Sequence, residues 1–90
     1  MNMRYMRKAG VSETEIDDGV FLVEPRSQEI YFLDAVSRGL WRLMAEASSI
    51  DELQSVVRQA FPDQAADQID RDVAAAIAEM NERGLVIGLP

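Results

Sequence analysis

The sequence predicts an α+β domain in which a three-stranded antiparallel sheet is followed by three helices. Three observations carry that prediction. Two strand-like stretches, Val20-Phe21-Leu22-Val23 and Glu29-Ile30-Tyr31-Phe32-Leu33, flank the turn-forming Glu24-Pro25-Arg26-Ser27. Asp34 then marks a switch from strand to helix, since its carboxylate suits the unpaired amides and positive dipole end of a first helical turn. Two further amphipathic periods each run into a breaker, Pro62 and Gly84.

In chain order, residues 1–10 mix Met, Arg, Lys and Tyr without a period and read as a flexible N-terminal arm. Residues 11–90 read as a single domain. Residues 11–16 give a weak first strand, and Asp17-Asp18-Gly19 a hairpin turn in which the Gly takes the positive φ. The apolar run at 20–23 and the return at 29–33 complete a meander. The first helix carries Val36, Leu40, Leu43 and Met44 on one face with Trp41 at its border, and is expected to end near Ala47.

Ser49-Ile50-Asp51-Glu52 has the capping-box pattern, in which the Ser hydroxyl and the Glu three residues later satisfy each other's free amide. The helix behind it turns Leu53, Val56, Val57 and Ala60 inward, with Phe61 as an anchor at its end. The third helix starts between 63 and 67, buries Ile69, Val73, Ala76, Ile77 and Met80, and is capped at Gly84. Leu85-Val86-Ile87 returns to the sheet or covers the end of the core. This is the inventory of a winged helix-turn-helix domain.

Composition narrows the chemistry. Ninety residues hold neither Cys nor His, which removes thiolate nucleophiles, the commonest general base and the commonest transition-metal ligands. Sixteen acidic residues against nine basic ones give a net charge of −7, and Arg4, Arg7 and Lys8 crowd into the first ten positions. Such a surface repels phosphate backbones and anionic headgroups, so neither nucleic acid nor membrane is expected as a partner. No apolar run is long enough to span a bilayer and no secretory signal is visible, so a cytoplasmic protein is expected.

Asp17 and Asp18 beside Gly19 are turn residues rather than a metal pair, and Asp70 and Asp72, two apart on a helix, point in different directions. The five glycines are scattered singly and form no phosphate loop. Glu13, Glu15 and Glu24 have no visible partner for acid–base work. No catalysis, metal or cofactor is expected. What is left is the third strand, whose outer edge, if uncovered, offers unpaired amides and carbonyls to an extended peptide.

The residues resemble the PqqD-like family, the recognition elements that bind precursor peptides in the biosynthesis of ribosomally made peptide natural products (RiPPs). The resemblance spans residues 11–87. It rests on the apolar strand at 20–23, on Leu33-Asp34 where the family shows Leu-Asn, and on Leu40-Trp41 in the first helix. Ala47-Ser48-Ser49, Ile50-Asp51-Glu52-Leu53, Asp72-Val73 and Gly84-Leu85-Val86 extend it in order.

The resemblance implies a peptide chaperone that binds the leader segment of a precursor by strand addition. It then delivers the leader to a modifying enzyme of the radical S-adenosylmethionine type. Carried over by position, the binding strand is Glu29, Ile30, Tyr31, Phe32 and Leu33, and the groove wall lies on the third helix between 66 and 80. Ala66, the stripe Ile69, Val73 and Ile77, and Asp70 and Ala74 one position round are the expected wall residues. Small residues at Ala74, Ala75 and Ala78 would let a peptide approach closely. An edge open to a peptide is open to a second copy, so a homodimer is a further expectation. The alternative reading is a winged-helix transcription regulator or a general protein-interaction subunit. Against DNA binding, the second helix has Arg58 as its only basic residue.

Overall fold

A computed structural model describes residues 3–90. The chain forms β1 (Arg4–Arg7), β2 (Ser12–Ile16), β3 (Gly19–Val23), β4 (Ile30–Leu33), α1 (Ala35–Leu43), β5 (Ser48–Ser49), α2 (Ile50–Ala60), α3 (Ala66–Glu82) and β6 (Val86–Leu89). The three-stranded antiparallel meander foreseen in the sequence is β2-β3-β4, and three helices follow it, as in a winged helix-turn-helix.

Within the meander, Thr14, Phe21 and Phe32 lie opposite one another across the three strands, as do Glu13, Leu22 and Tyr31. The pleat therefore sends Val20, Leu22 and Leu33 inward, where they are buried with Leu40, Trp41 and Met44 of the α1 region. Leu53 and Val57 of α2 and Ile69, Val73, Ile77 and Met80 of α3 complete this core, and Leu85 and Val86 close it.

Residues 4–7 depart from the flexible-arm expectation; residues 1 and 2 of that arm lie outside the described residues. β1 is the middle strand of a second sheet, ordered β5-β1-β6, in which Arg4 to Arg7 pair with Leu89 to Val86. The pairing spans nearly the whole chain, so no local pattern announces it. Arg7 anchors β1 to α1: its Nε donates to the Trp41 carbonyl at 2.7 Å and its guanidinium lies 4.8 Å from the indole centroid. The C-terminal apolar segment, β6, joins this second sheet rather than the meander.

Other local expectations shift for identifiable reasons. α1 ends at Leu43, with Met44 as C-cap, so Leu43 is exposed while Trp41 is fully in the core. Trp41 keeps its indole N–H paired by donating to Glu13 Oε1 at 2.6 Å. Val56 and Ala60 of α2 and its C-cap Phe61 are exposed, and the helix buries Leu53 and Val57, with Ile50 packed partly buried beside them. The capping box at Ser49 is present in both directions, and the bond from the Ser49 amide holds the Glu52 carboxyl below its ordinary pKa. α3 closes in a Schellman motif, with Gly84 at φ +75°, its N–H on the Asn81 carbonyl and the Leu85 N–H on the Met80 carbonyl at 2.9 Å.

Candidate functional site

β4 pairs with β3 on one side, and among the described residues no strand covers its other edge. The turn before β4 fixes which backbone groups face that edge. The Glu24 N–H donates to the Glu29 carbonyl at 3.2 Å, so the alternation of an antiparallel ladder makes Tyr31 and Leu33 the residues bonded to β3. The amides and carbonyls of Ile30 and Phe32 point to the open edge.

The turn is held by a side chain the sequence left without a role. The buried Glu24 carboxylate accepts from the backbone N–H of Arg26 at 2.9 Å and of Ser27 at 3.0 Å. Those amides hold its carboxyl below the ordinary value, with a smaller contribution from the Lys8 charge.

The pleat gives β4 two unlike faces. Tyr31 is half-buried and Leu33 fully buried, while Ile30 and Phe32 are 68% and 56% exposed on the other side. The Phe32 ring leans on Phe21, with centroids 5.2 Å apart.

Beside the inner face runs a groove. Its first hollow, about 290 Å³, is lined by Tyr31, Asp34, Val36 and Ser37 on one wall and Asp72, Ala75, Ala76 and Glu79 of α3 on the other. A second hollow continues it past Glu29, Glu79, Glu82 and Arg83. Asp34 also caps α1, its carboxylate accepting from the Ser37 N–H at 2.8 Å. Arg83 bridges the walls: it lies 3.2 Å from Glu79 and 3.7 Å from Glu29, and its guanidinium sits 5.4 Å from the Tyr31 ring centroid. Burial, and next the Glu79 carboxylate, push the Tyr31 phenol above its ordinary pKa.

The expected strand residues thus stand together at one edge, with Glu29 and Tyr31 on the groove, Ile30 and Phe32 on the outer face, and Leu33 in the core. The expected helix residues do not line these hollows. Ile69, Val73 and Ile77 are buried in the core. Asp70 faces α2, bonding Arg58 at 3.2 Å, while its carbonyl accepts from Gln54 at 3.0 Å. Ala66 is exposed at the start of α3, and Ala74 is half-buried away from these hollows. The wall is instead the stripe Asp72, Ala75, Ala76, Glu79 and Glu82–Arg83, at the spacing of one helical face. Of the small residues expected to admit a peptide, Ala75 is on this wall.

The family described as coenzyme PQQ synthesis protein D (PqqD) matches residues 19–86, three quarters of the chain. The chain belongs to the PqqD family. The segment matched to PqqD takes in β3, β4 and all three helices, which build the edge and the groove, and leaves out β1 and β2.

Two solved structures share the fold. "TbiB1 in Complex with the TbiA(beta) Leader Peptide" superposes with a TM-score of 0.79 at 21% identity, over 94% of this chain and 98% of that one. "Lasso peptide synthetase B1 complexed with the leader peptide" gives 0.72 at 20% identity, over 96% and 98%. No curated protein matches the chain. Among the described residues, no group of three or more acidic side chains is placed to hold a metal ion, and no helix is long and apolar enough to cross a membrane.

Proposed function

We propose that this PqqD-family chain is a non-catalytic recognition element that binds the leader segment of a ribosomally made precursor peptide and presents it to a modifying enzyme. The open edge of β4 beside a groove carries the reading. Family membership supports it, as does the fold shared with two proteins solved in complex with leader peptides. The leader adds antiparallel to β4, bonds to Ile30 and Phe32, and lies along α3. An acidic α3 wall disfavours the alternative of a DNA-binding winged helix.

The magnitudes say what else is needed. Four edge hydrogen bonds at about 0.5–1.5 kcal/mol each do not by themselves overcome an association cost of about 4–15 kcal/mol. Two or three side-chain anchors at about 1.5–3 kcal/mol each must add to them. That combination suits a carrier that binds reversibly and releases its cargo.

The receiving enzyme is of the radical S-adenosylmethionine type by the family resemblance, and the protein works in the cytoplasm. Without leader, the same edge pairs with a second copy, a dimer that added leader dissociates in sedimentation experiments. The central test is a titration with the leader of a precursor encoded beside the gene, followed by backbone amide shifts. Shifts centred on Ile30, Tyr31 and Phe32 with micromolar affinity are expected. No shift in β4 at submillimolar leader would overturn the reading.

A further inference from the structure

We propose that the leader taken by this groove is a strand of alternating character, with lysine or arginine on the side facing α3 and apolar residues on the outer side. This rests on the leader-binding reading and adds the chemistry of the segment that is bound.

Two independent observations define the two sides. A strand added to β4 shares its pleat, so every second side chain lies on the groove side with Tyr31 and the rest lie beside Ile30 and Phe32. On the outer side, Ile30 and Phe32 are largely exposed and continue across the sheet into Phe21, which contacts the Phe32 ring. Polar leader residues would leave this apolar strip wet, whereas β-branched or aromatic ones would cover it.

On the inner side the two hollows present five carboxylates, Asp34, Asp72, Glu79, Glu29 and Glu82, and one guanidinium, Arg83. That guanidinium already lies against Glu79 and Glu29. A leader carboxylate placed here meets only like charge that is not yet compensated. A lysine can lay its methylene stem over Ala75 and Ala76 and carry its ammonium to Asp72 or Glu79. The alanines leave room for that stem. Because these carboxylates are near water, each pair contributes modestly and the preference is sensitive to salt.

The test uses ten-residue capped peptides as probes: alternating Lys–Val, alternating Ser–Val, alternating Glu–Val, and a block peptide with the same lysines and valines unalternated. At low salt the Lys–Val peptide should bind about tenfold tighter than Ser–Val, the sum of a few exposed pairs. Glu–Val should bind more weakly than Ser–Val, and the block peptide more weakly than Lys–Val. The Lys–Val advantage should fade in about 1 M salt. The double variant Asp72→Lys, Glu82→Lys leaves three carboxylates facing three cations on this wall, so the Lys–Val and Glu–Val peptides should bind it about equally.

Equal affinities for the three alternating peptides, with amide shifts at Ile30 and Phe32, overturn the charge pattern and leave strand addition standing. A block peptide as tight as Lys–Val overturns alternation in favour of net charge alone. A Lys–Val preference that persists undiminished in the double variant overturns the assignment to this wall. No β4 shifts with any peptide overturn strand addition and the pattern together.

Discussion

Asp17 carries a φ of +55°, while Gly19, two residues on, is an ordinary strand residue. The sequence points to the Gly for the left-handed position, because Gly takes it without cost. The structure uses Gly19 differently, since a Cβ there would lie 2.9 Å from the Phe32 ring. Asp17 then bears the strain. Asp17→Gly should therefore stabilise the protein by about 0.5–1 kcal/mol, the left-handed cost of an L-residue less the extra chain entropy of Gly. A raised urea midpoint with unchanged slope is the expected readout, and an unchanged or lowered midpoint refutes it. Glu24 gives a second prediction at this scale. Its folded pKa lies below its unfolded one because the Arg26 and Ser27 amides bond the carboxylate. Its contribution is therefore complete above the ordinary value of about 4.3 and is lost as pH falls through the lower folded value. Glu24→Gln should flatten that part of the acid limb in urea midpoints measured from about pH 7 to pH 3. Parallel limbs for the two proteins would show that the turn does not depend on this charge.

At the scale of elements, Ile30 is the discriminating position in β4. Its N–H faces the open edge, so Ile30→Pro removes a donor to an added strand without removing a ladder bond to β3. The variant should melt close to the wild type yet lose leader binding, read as absent amide shifts at Phe32. A variant that folds and still binds would mean that the leader does not pair here. The N-terminus of α3 is under-equipped, because its N-cap, Ala65, has extended backbone but no side chain to bond the first amides. Ala65→Asp should gain about 1 kcal/mol by capping, measured as a higher urea midpoint, and no gain would indicate that solvent already satisfies those amides. These elements also show what the sequence could and could not disclose. The capping box at Ser49, the Asp34 cap and the core stripe Ile69, Val73, Ile77 were legible because each is a local pattern. The edge strand β4 was legible for the same reason. The groove wall was not: periodicity fixes which face of α3 is buried, but not which flank beside it meets β4 and which meets α2. Asp70 and Ala74 lie on one flank of that stripe, and the groove took the other, with Asp72, Ala75 and Glu79. Only the packing of the whole chain decides between them.

For the whole molecule, the decisive non-local feature is β1, and it makes residues 4–7 part of the fold. β1 joins β5, at the start of α2, to β6, which follows α3, so one short strand ties both helix ends together. The strand's last residue and the one after it also bond outside the sheet: the Arg7 N–H donates to the Met44 carbonyl at 2.9 Å, and the Lys8 N–H to the Leu85 carbonyl at 3.0 Å. Met44 and Leu85 are core residues, so these bonds hold the C-terminal end of α1 and the end of α3 against each other. A flexible arm could be removed with a change within about 0.5 kcal/mol. Deleting residues 1–7 should instead cost more than about 3 kcal/mol, from lost ladder bonds, the lost Arg7–Trp41 contact and newly exposed apolar surface on β6. For a domain this small, that is a large share of a total of about 5–15 kcal/mol. The truncated chain should show a much lower urea midpoint and fast amide exchange in β6. Its β4, paired only with β3, keeps its local ladder. Leader added in excess should therefore raise the truncated protein's midpoint, because a ligand that binds only the folded state pulls the equilibrium toward it. A truncation that leaves the midpoint unchanged would return β1 to the status of an ornament. A truncated protein that leader fails to stabilise, while the full chain is stabilised, would place part of the binding energy in the second sheet rather than at the β4 edge.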